Sequence, residues 1–153
     1  MSHQVNLQND LNILNLPDFA KFYQWVNAAL DGEVADTELT IRIVDEAESA
    51  QLNATFMQKN NPTNILAFPF ADDLHELNLL PYLGDIAACA VVIEREANEQ
   101  QKPLEAHWAH IIIHGTLHLL GYDHIHEHDA ALMEDREIKL LNQFGFANPY
   151  EES

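Results

Sequence analysis

The sequence predicts one domain in which strands alternate with helices. The chain has 153 residues, enough for one sizeable hydrophobic core and fewer than two domains usually need. Apolar residues recur at every second position in some segments and at every third or fourth position in others. These are the spacings of strands and of amphipathic helices, respectively. No internal repeat or low-complexity stretch interrupts the alternation, so we expect residues 1–153 to form a single domain.

The N-terminal half of the chain predicts two strands, each followed by a helix. Their order is strand 4–8, helix 19–30, strand 39–44 and helix 45–58. Asp18 stands directly before the apolar stripe of the first helix, where an aspartate side chain commonly caps the first turn. Asp45 with Glu48 has the spacing of a capping box and marks the start of the second helix.

The C-terminal half predicts two strands and three helices. Their order is strand 65–68, strand 83–92, helix 94–100, a long helix that starts at Pro103 and carries the residues up to His118, and helix 127–143. Residues 71–82 have the composition of a loop. Four residues of the last helix are expected to pack inward, namely Leu132, Ile138, Leu140 and Leu141. The acidic residues of that helix are expected to face solvent.

The most informative segment lies at the end of the long helix. His114 and His118 are four residues apart, so their imidazoles lie on one face of the helix, one turn from each other. Gly121 can end the helix in the left-handed conformation, after which the chain can bring His124 toward the first two. Three converging imidazoles with a coordination position left for water are typical of a catalytic zinc site. We therefore predict one zinc ion per chain, bound by His114, His118 and His124.

Other residues near this segment have different predicted roles. His107 and His110 share the helical stripe but lie further from the glycine turn, so we expect them to line the cleft, with His110 near substrate. A fourth protein ligand such as His126 or His128 would instead make the zinc structural. The spacing also matches that of zinc peptidases, but Gly115 stands where their catalytic glutamate is found. This disfavours a peptidase.

Composition limits the partners and the compartment. The net charge is −18, from 7 basic and 25 acidic residues, which is unfavourable for broad nonspecific binding of nucleic acid. No apolar run is long enough to span a membrane, and no N-terminal signal peptide is recognisable. The single cysteine, Cys89, lies in an apolar stretch and is expected to be a core residue. Together these features predict a cytoplasmic protein without membrane contact.

Three separated segments resemble the YbeY family of bacterial metal-dependent endoribonucleases. They are PTNILAFPF at 62–70, LGDI at 83–86 and HGTLHLLGYDH at 114–124. The resemblance covers nearly the whole chain. It implies an α+β fold, in which a small mixed β-sheet packs with helices, one of them a zincin-like metal helix. It also implies zinc on His114, His118 and His124, and a single metal-dependent hydrolase domain over residues 1–153.

One position departs from the family pattern. The family commonly has an arginine shortly before the Pro-Thr-Asn turn, and the matching position here is Met57. Lys59 is the nearby cation, so either Lys59 contacts an RNA phosphate or this chain acts more weakly on RNA. A lysine cannot reproduce the bidentate contact of an arginine. Asp85 and Asp123 are the carboxylates within the matched segments, and both are candidates for the catalytic base.

The resemblance implies a zinc-dependent, single-strand-specific endoribonuclease that acts in maturation of the 3′ end of small-subunit ribosomal RNA and in ribosome quality control. Two alternatives stay open: a metallohydrolase of a peptide or small ester, and a noncatalytic zinc-binding factor in ribosome assembly. A chain this acidic should bind free RNA weakly. We therefore expect the small ribosomal subunit and its basic proteins to present the ribosomal RNA. The acidic residues Glu134, Asp135 and Glu137 would then form a docking surface.

Overall fold

The computed structural model describes residues 3–70, 82–122 and 126–151. Within these ranges the elements follow the predicted order of strands and helices. They are β1 (Gln4–Gln8), α1 (Phe19–Leu30), β2 (Glu38–Val44), α2 (Glu46–Met57), β3 (Ile65–Pro69), β4 (Tyr82–Cys89), α3 (Ala90–Glu99), α4 (Leu104–Leu119) and α5 (Glu127–Gln143). The α+β fold is confirmed. The predicted loop at 71–82 lies outside the described residues except for its last position, Tyr82, which begins β4.

The strands form a mixed sheet in the order β1-β2-β4-β3. β1 pairs with β2 and β2 pairs with β4 in parallel, whereas β3 pairs with β4 in antiparallel orientation. Parallel neighbours need long crossover connections, and α1 supplies the one between β1 and β2. β3 is an edge strand, which explains why Pro69 can end it opposite Gly84 without breaking a central ladder.

Different helices cover the two faces of the sheet. α1 and α4 cover one face, and α5 packs on α4. The three helices and the sheet form the larger hydrophobic core, which includes Phe22, Ile41, Ile86, Trp108, Ile112 and Leu140. On the opposite face Leu52 of α2 packs against a smaller cluster of Val44, Leu66, Ala87, Cys89 and Val92. Cys89 is buried, as predicted, and burial raises the pKa of its thiol. Successive side chains of a strand point to opposite faces, so β2, β3 and β4 each contribute to both clusters.

Two glycines allow α4 to lie close against the sheet. A Cβ atom at Gly115 would come within 2.7 Å of Ile65 Cδ1, and one at Gly84 within 2.8 Å of Leu119 Cδ2. Gly115 therefore faces β3 and β4. The residue that stands in place of the peptidase glutamate is thus part of the contact between helix and sheet. Gly121, at a φ of 102°, follows the end of α4 in the left-handed region, as predicted.

The boundary between β4 and α3 differs from the prediction. We expected the strand to reach Val92 and the helix to begin at Glu94, but the strand ends at Cys89 and the helix begins at Ala90. A short apolar run is compatible with a strand or with a buried helix, and its periodicity does not separate them. The buried residues Ala90, Ile93 and Ala97 recur at helical spacing.

The inward face of α5 also differs from the prediction. Leu132 is 52% exposed, whereas Met133 is buried together with Leu140 and Leu141. Ile138 is half-buried. The prediction for Leu132 was wrong because the inward side of α5 is formed by Met133, Glu137, Leu140 and Leu141. One of these inward residues, Glu137, is acidic.

Of the two predicted capping residues, Asp45 caps its helix and Asp18 does not. Asp45 accepts a hydrogen bond from the Glu48 backbone N–H over 2.8 Å, as predicted for a capping residue. Asp18 occupies the equivalent position before α1, but its side chain makes no capping hydrogen bond.

Among the described residues, no helix combines the length and the hydropathy needed to cross a membrane.

Candidate metal centre

Four histidines of α4 form a stripe along the helix, which we call the histidine stripe: His107, His110, His114 and His118. Successive rings of the stripe lie edge-on to one another, with centroid separations of 6.3, 6.2 and 4.6 Å. The stripe contacts α3, α5 and the segment that follows α5. It is thus the polar side of a helix that otherwise packs into the core through residues such as Ile112 and Leu117.

A buried carboxylate of α5 binds the middle of the stripe. Glu137 is 0% exposed. Its Oε2 accepts hydrogen bonds from His114 Nδ1–H over 2.9 Å and from His110 Nε2–H over 3.2 Å. Its Oε1 accepts a third hydrogen bond from the Tyr150 hydroxyl over 2.6 Å. The prediction that Glu137 faces solvent with the other acidic residues of its helix is therefore wrong, because three donors hold it in the interior.

The Glu137 carboxylate is held in its ionised form. Burial raises the pKa of Glu137, but the hydrogen bonds from His110 and His114 and their charges together lower it by more, so that the pKa falls from 4.5 to about 2. Burial, together with the bond to Glu137, raises the pKa of the Tyr150 hydroxyl, which therefore stays protonated and donates. A buried negative charge is tolerated when it is hydrogen-bonded and paired with positive charge. The cluster therefore favours a cation in its surroundings.

This carboxylate fixes the tautomer of His114. An ionised carboxylate only accepts hydrogen bonds, so the neutral ring carries its proton on Nδ1 and has its lone pair on Nε2. His114 Nε2 lies 3.1 Å from His118 Nε2. Two imidazole nitrogens on a tetrahedral zinc ion would be about 3.3 Å apart, given Zn–N distances of about 2.0–2.1 Å. The donor set therefore fits a metal ion, and a carboxylate behind a ligating imidazole is the usual support.

A second combination of these residues also has metal-binding geometry. His110, His114 and Glu137 each offer one ligand atom, and these atoms all lie within 4.8 Å of one another. This group could hold a metal ion. His114 belongs to both combinations, so it is the residue on which any metal at this site would depend.

A second carboxylate binds the N-terminal end of the stripe. His107, 4% exposed, donates from Nε2–H to Glu96 Oε1 over 2.9 Å. Burial lowers the pKa of His107, although Glu96 opposes this effect, so the ring is neutral at pH 7. The Asn64 side-chain amide donates to the same Glu96 oxygen over 3.1 Å, and the Asn64 carbonyl accepts from the Cys89 N–H over 2.9 Å. This arrangement connects the turn before β3 to α3 and α4.

A family model described as Endoribonuclease YbeY matches residues 5–145. The chain belongs to the YbeY family. Membership identifies it as an endoribonuclease, hence a nuclease of the hydrolase class, and supports a role in ribosomal RNA processing. Among solved structures, the chain is similar to the solution structure of TM1509 from Thermotoga maritima, with a TM-score of 0.59 and 22% identity. The match covers 98% of this chain and 99% of that one, and it shows the shared fold.

The structure brings together some of the residues predicted for the YbeY-type site. His114 and His118 are adjacent, and His110 lies beside them with its Nε2 also 3.2 Å from the Tyr150 hydroxyl. His124 and Asp123 lie outside the described residues. The assignment of His114, His118 and His124 as ligands stays a prediction, as do the substrate contact of His110 and the catalytic role of Asp123.

Asp85 lies on the other face of the sheet. Its neighbours Gly84 and Ile86 face α4, so the alternation of the strand directs the Asp85 side chain away from that helix. The Asp85 carboxylate accepts a hydrogen bond from the Tyr82 hydroxyl and lines a cavity of about 360 Å³ together with Arg42. The structure therefore does not bring Asp85 together with the histidine stripe.

Lys59 and Met57 lie at the C-terminal end of α2. Met57 is the last residue of the helix, and Gln58 ends it in the left-handed conformation at a φ of 57°. The Lys59 side chain is exposed, and its backbone N–H donates to the Asn53 carbonyl over 3.2 Å. Both side chains are accessible beside the turn at 62–64, and their contact with RNA stays a prediction.

Sequence reasoning missed two residues of the site, Glu137 and Tyr150. The signal for Glu137 was present, because it shares the helical phase of Met133, Leu140 and Leu141. An acidic residue in an apolar stripe indicates a buried partner. Tyr150 follows α5 in a segment without periodic pattern, and no signal in the sequence relates it to α4.

Proposed function

We propose that this protein is a zinc-dependent, single-strand-specific endoribonuclease that acts in 3′-end maturation of small-subunit ribosomal RNA and in ribosome quality control. The observation that supports it best is the pair of Nε2 atoms of His114 and His118, 3.1 Å apart, with His114 held from behind by a buried carboxylate. YbeY-family membership supplies the reaction class.

In this proposal His114, His118 and His124 hold one zinc ion. Two of these residues, His114 and His118, lie in the last turns of α4, so the helix itself determines their spacing. When bound there, zinc would supply a Lewis acid for the activation of water near neutral pH and for the polarisation of a phosphoryl oxygen.

The residues around His114 orient it and balance charge. Glu137 keeps the proton of His114 on Nδ1 and so keeps Nε2 available for a ligand bond. It also places one negative charge behind the imidazole, which stabilises positive charge in front of it. His110 donates to the same carboxylate oxygen, so its role in this proposal is to hold Glu137 as well as to line the substrate cleft.

Gly115 makes a peptidase of the usual zinc-dependent kind unfavourable. The side of α4 on which a residue 115 side chain would lie packs against Ile65 of β3 and Ile86 of β4. A glutamate there would have to displace the Ile65 and Ile86 side chains and would point into the contact between α4 and the sheet. The surrounding carboxylates suit an attacking water poorly, because Glu137 is fully engaged by three donors. Of the two predicted bases, Asp123 stays the candidate in this proposal, because the Asp85 side chain lies on the other face of the sheet.

The activity test compares substrates and metal states. Purified protein should cleave a labelled single-stranded RNA, lose that activity with a chelator and regain it with zinc, while casein stays intact. His114→Ala should abolish cleavage. His128→Ala is the matched control, since it makes the same change at an exposed position of α5. Hydrolysis of casein or a small ester with intact RNA would instead support the alternative metallohydrolase, which the charge of −18 favours.

The RNA contact is tested at the end of α2. If Lys59 contacts a phosphate, Lys59→Ala should weaken RNA cleavage more than it changes the melting temperature. Met57→Arg should raise RNA affinity, because a guanidinium can bind a phosphate through two hydrogen bonds. Unchanged RNA binding in both variants would contradict the contact.

The partner in this proposal is the small ribosomal subunit with its basic proteins. Glu134 and Asp135 are exposed on α5 and are suited to docking on a basic surface, whereas Glu137 is buried and is withdrawn from that role. Binding to intact subunits should weaken with salt and should be lost on Glu134→Lys with Asp135→Lys. Tight, salt-sensitive binding to naked ribosomal RNA by the protein alone would contradict this docking.

A further inference from the structure

The segment after α5 folds back to contact the histidine stripe through Tyr150. The Tyr150 hydroxyl lies 2.6 Å from Glu137 Oε1, and its ring packs edge-on against His110 with centroids 5.5 Å apart. The segment is itself fastened: Phe146 N–H donates to the Leu141 carbonyl over 3.0 Å, and Lys102 Nζ donates to the Pro149 carbonyl over 3.4 Å. These hydrogen bonds hold the segment that carries Tyr150, although Tyr150 follows the span 5–145 that the family model matches.

The two oxygens of Glu137 have different donors. Oε2 accepts from two imidazoles of α4, whereas Oε1 accepts, among the described residues, from Tyr150. Glu137 is 0% exposed, so the protein itself must supply the donor to each oxygen. A carboxylate with donors on both oxygens is fixed in rotation about its last bond, and one with donors on a single oxygen is less constrained.

We propose that Tyr150 is a positioning residue, whose hydroxyl fixes the orientation of Glu137 and thereby holds His114 in the tautomer that presents Nε2 to the metal. The inference deepens the proposed function and rests on it where zinc is concerned. The tautomer of His114 belongs to the metal-free protein as well, so it can be measured independently of zinc.

The deciding variant is Tyr150→Phe. The phenylalanine ring keeps the packing on His110 and removes only the hydroxyl that donates to Glu137 Oε1. In metal-free protein at pH 8, the ring ¹⁵N chemical shifts of His114 should report the Nδ1–H tautomer in the wild type and a mixture of both tautomers in the variant. Zinc affinity, measured by competition with a chelator, should fall by about tenfold, the low end of what the loss of an outer-shell partner costs.

Tyr82→Phe is the matched control. Tyr82 also donates its hydroxyl to a carboxylate, that of Asp85, but on the other face of the sheet. It should leave the His114 tautomer and the zinc affinity unchanged.

Two results overturn different claims. Identical His114 shifts and identical zinc affinity in the wild type and Tyr150→Phe would overturn the role of Tyr150 and leave the zinc site standing. Wild-type protein that binds no zinc would overturn the proposed function, while the ¹⁵N comparison would still decide whether Tyr150 sets the tautomer. The absorption spectrum of the cobalt-substituted protein provides a further readout, because a shift in Tyr150→Phe reports a change at the ligands that loss of stability alone does not produce.

Discussion

Helix α4 carries two histidine–carboxylate pairs, which have the same chemical groups in different surroundings. At its N-terminal end His107 binds Glu96, whose side chain is 28% exposed and also accepts from the amide of Asn64. In its second half His114 binds Glu137, which is 0% exposed and also accepts from an imidazole and a phenol. The first pair contacts an amide and a turn. The second contacts further titratable groups.

The difference separates a structural contact from a candidate functional one. Glu96 can exchange part of its hydrogen bonding with water, so its pairing with His107 joins segments of the chain at modest cost. Glu137 has no such exchange, and its negative charge requires the donors that surround it. On the far side of the His114 ring, Nε2 lies 3.1 Å from His118 Nε2. Burial of the carboxylate and the neighbour on the far side of the imidazole therefore distinguish the two pairs.

The largest expected effect is on zinc affinity, and it should distinguish His114 from His107. His114→Ala should lower zinc affinity by more than about 100-fold, beyond what the loss of an outer-shell partner costs. His118→Ala should do the same. His107→Ala should leave the affinity nearly unchanged and lower the melting temperature instead. Metal content by mass spectrometry of the native protein checks this, and full zinc occupancy in His114→Ala would show that the site lies elsewhere.

The next effect concerns the buried charge of Glu137. Because its pKa is about 2 in the folded protein against 4.5 unfolded, it contributes stability that is fully present above about pH 4.5 and is lost as the pH falls toward 2. The difference in free energy of unfolding between metal-free wild type and Glu137→Gln should therefore shrink by about 3 kcal/mol between pH 5 and pH 2. Urea titrations across this range measure it. A difference that does not vary with pH would mean that Glu137 is not held ionised.

The third prediction concerns the other carboxylate. Glu96→Gln keeps the shape of the side chain but sets an amide N–H against one of its two donors, His107 and Asn64. The free energy of unfolding should fall by about 1 kcal/mol, a modest value because Glu96 is partly exposed. Zinc affinity should stay within about twofold of wild type, since the change is remote from His114. A large loss of zinc affinity would contradict the separation of the two pairs.

The smallest expected effect comes from a substitution at Gly115, which lies on the side of α4 that faces the sheet. Gly115→Ala adds a methyl group 2.7 Å from Ile65 Cδ1, the movable end of a side chain. The helix gains about 1 kcal/mol from the replacement of glycine by alanine, which offsets much of the contact. We expect a net change in unfolding free energy below about 1 kcal/mol and unchanged zinc affinity. Loss of zinc in this variant would show that the ligands depend on how close α4 lies to the sheet.

The sequence was sufficient for most of the fold because most elements carry their own signal. The stripe of α1, the Asp45 cap and the glycine after α4 are local features, and each predicted its element correctly. The start of α3 at Ala90 was missed because the surrounding run is apolar throughout, so no period stands out. Leu132 was placed inward because it is apolar, whereas the inward side of α5 is formed by Met133, Glu137, Leu140 and Leu141.

For the site, the sequence supplied the histidines but not the groups that hold them. The spacing of His114 and His118 is a property of one helix and could be derived from the chain alone. Glu137 binds a residue 23 positions earlier, and Tyr150 contacts one 40 positions earlier. Contacts of this range depend on how α5 and the following segment pack, which local periodicity does not contain.

The long range of these contacts has a consequence for biosynthesis. A nascent chain presents α4 before α5 and Tyr150 leave the ribosome, so His114 first exists without the carboxylate that sets its tautomer. The sheet, by contrast, can pair completely once β4 has emerged, since all four strands precede α4. We therefore expect maturation in two stages, a framework that can form during translation and a candidate metal site that receives the Tyr150 donor only after that residue has been added.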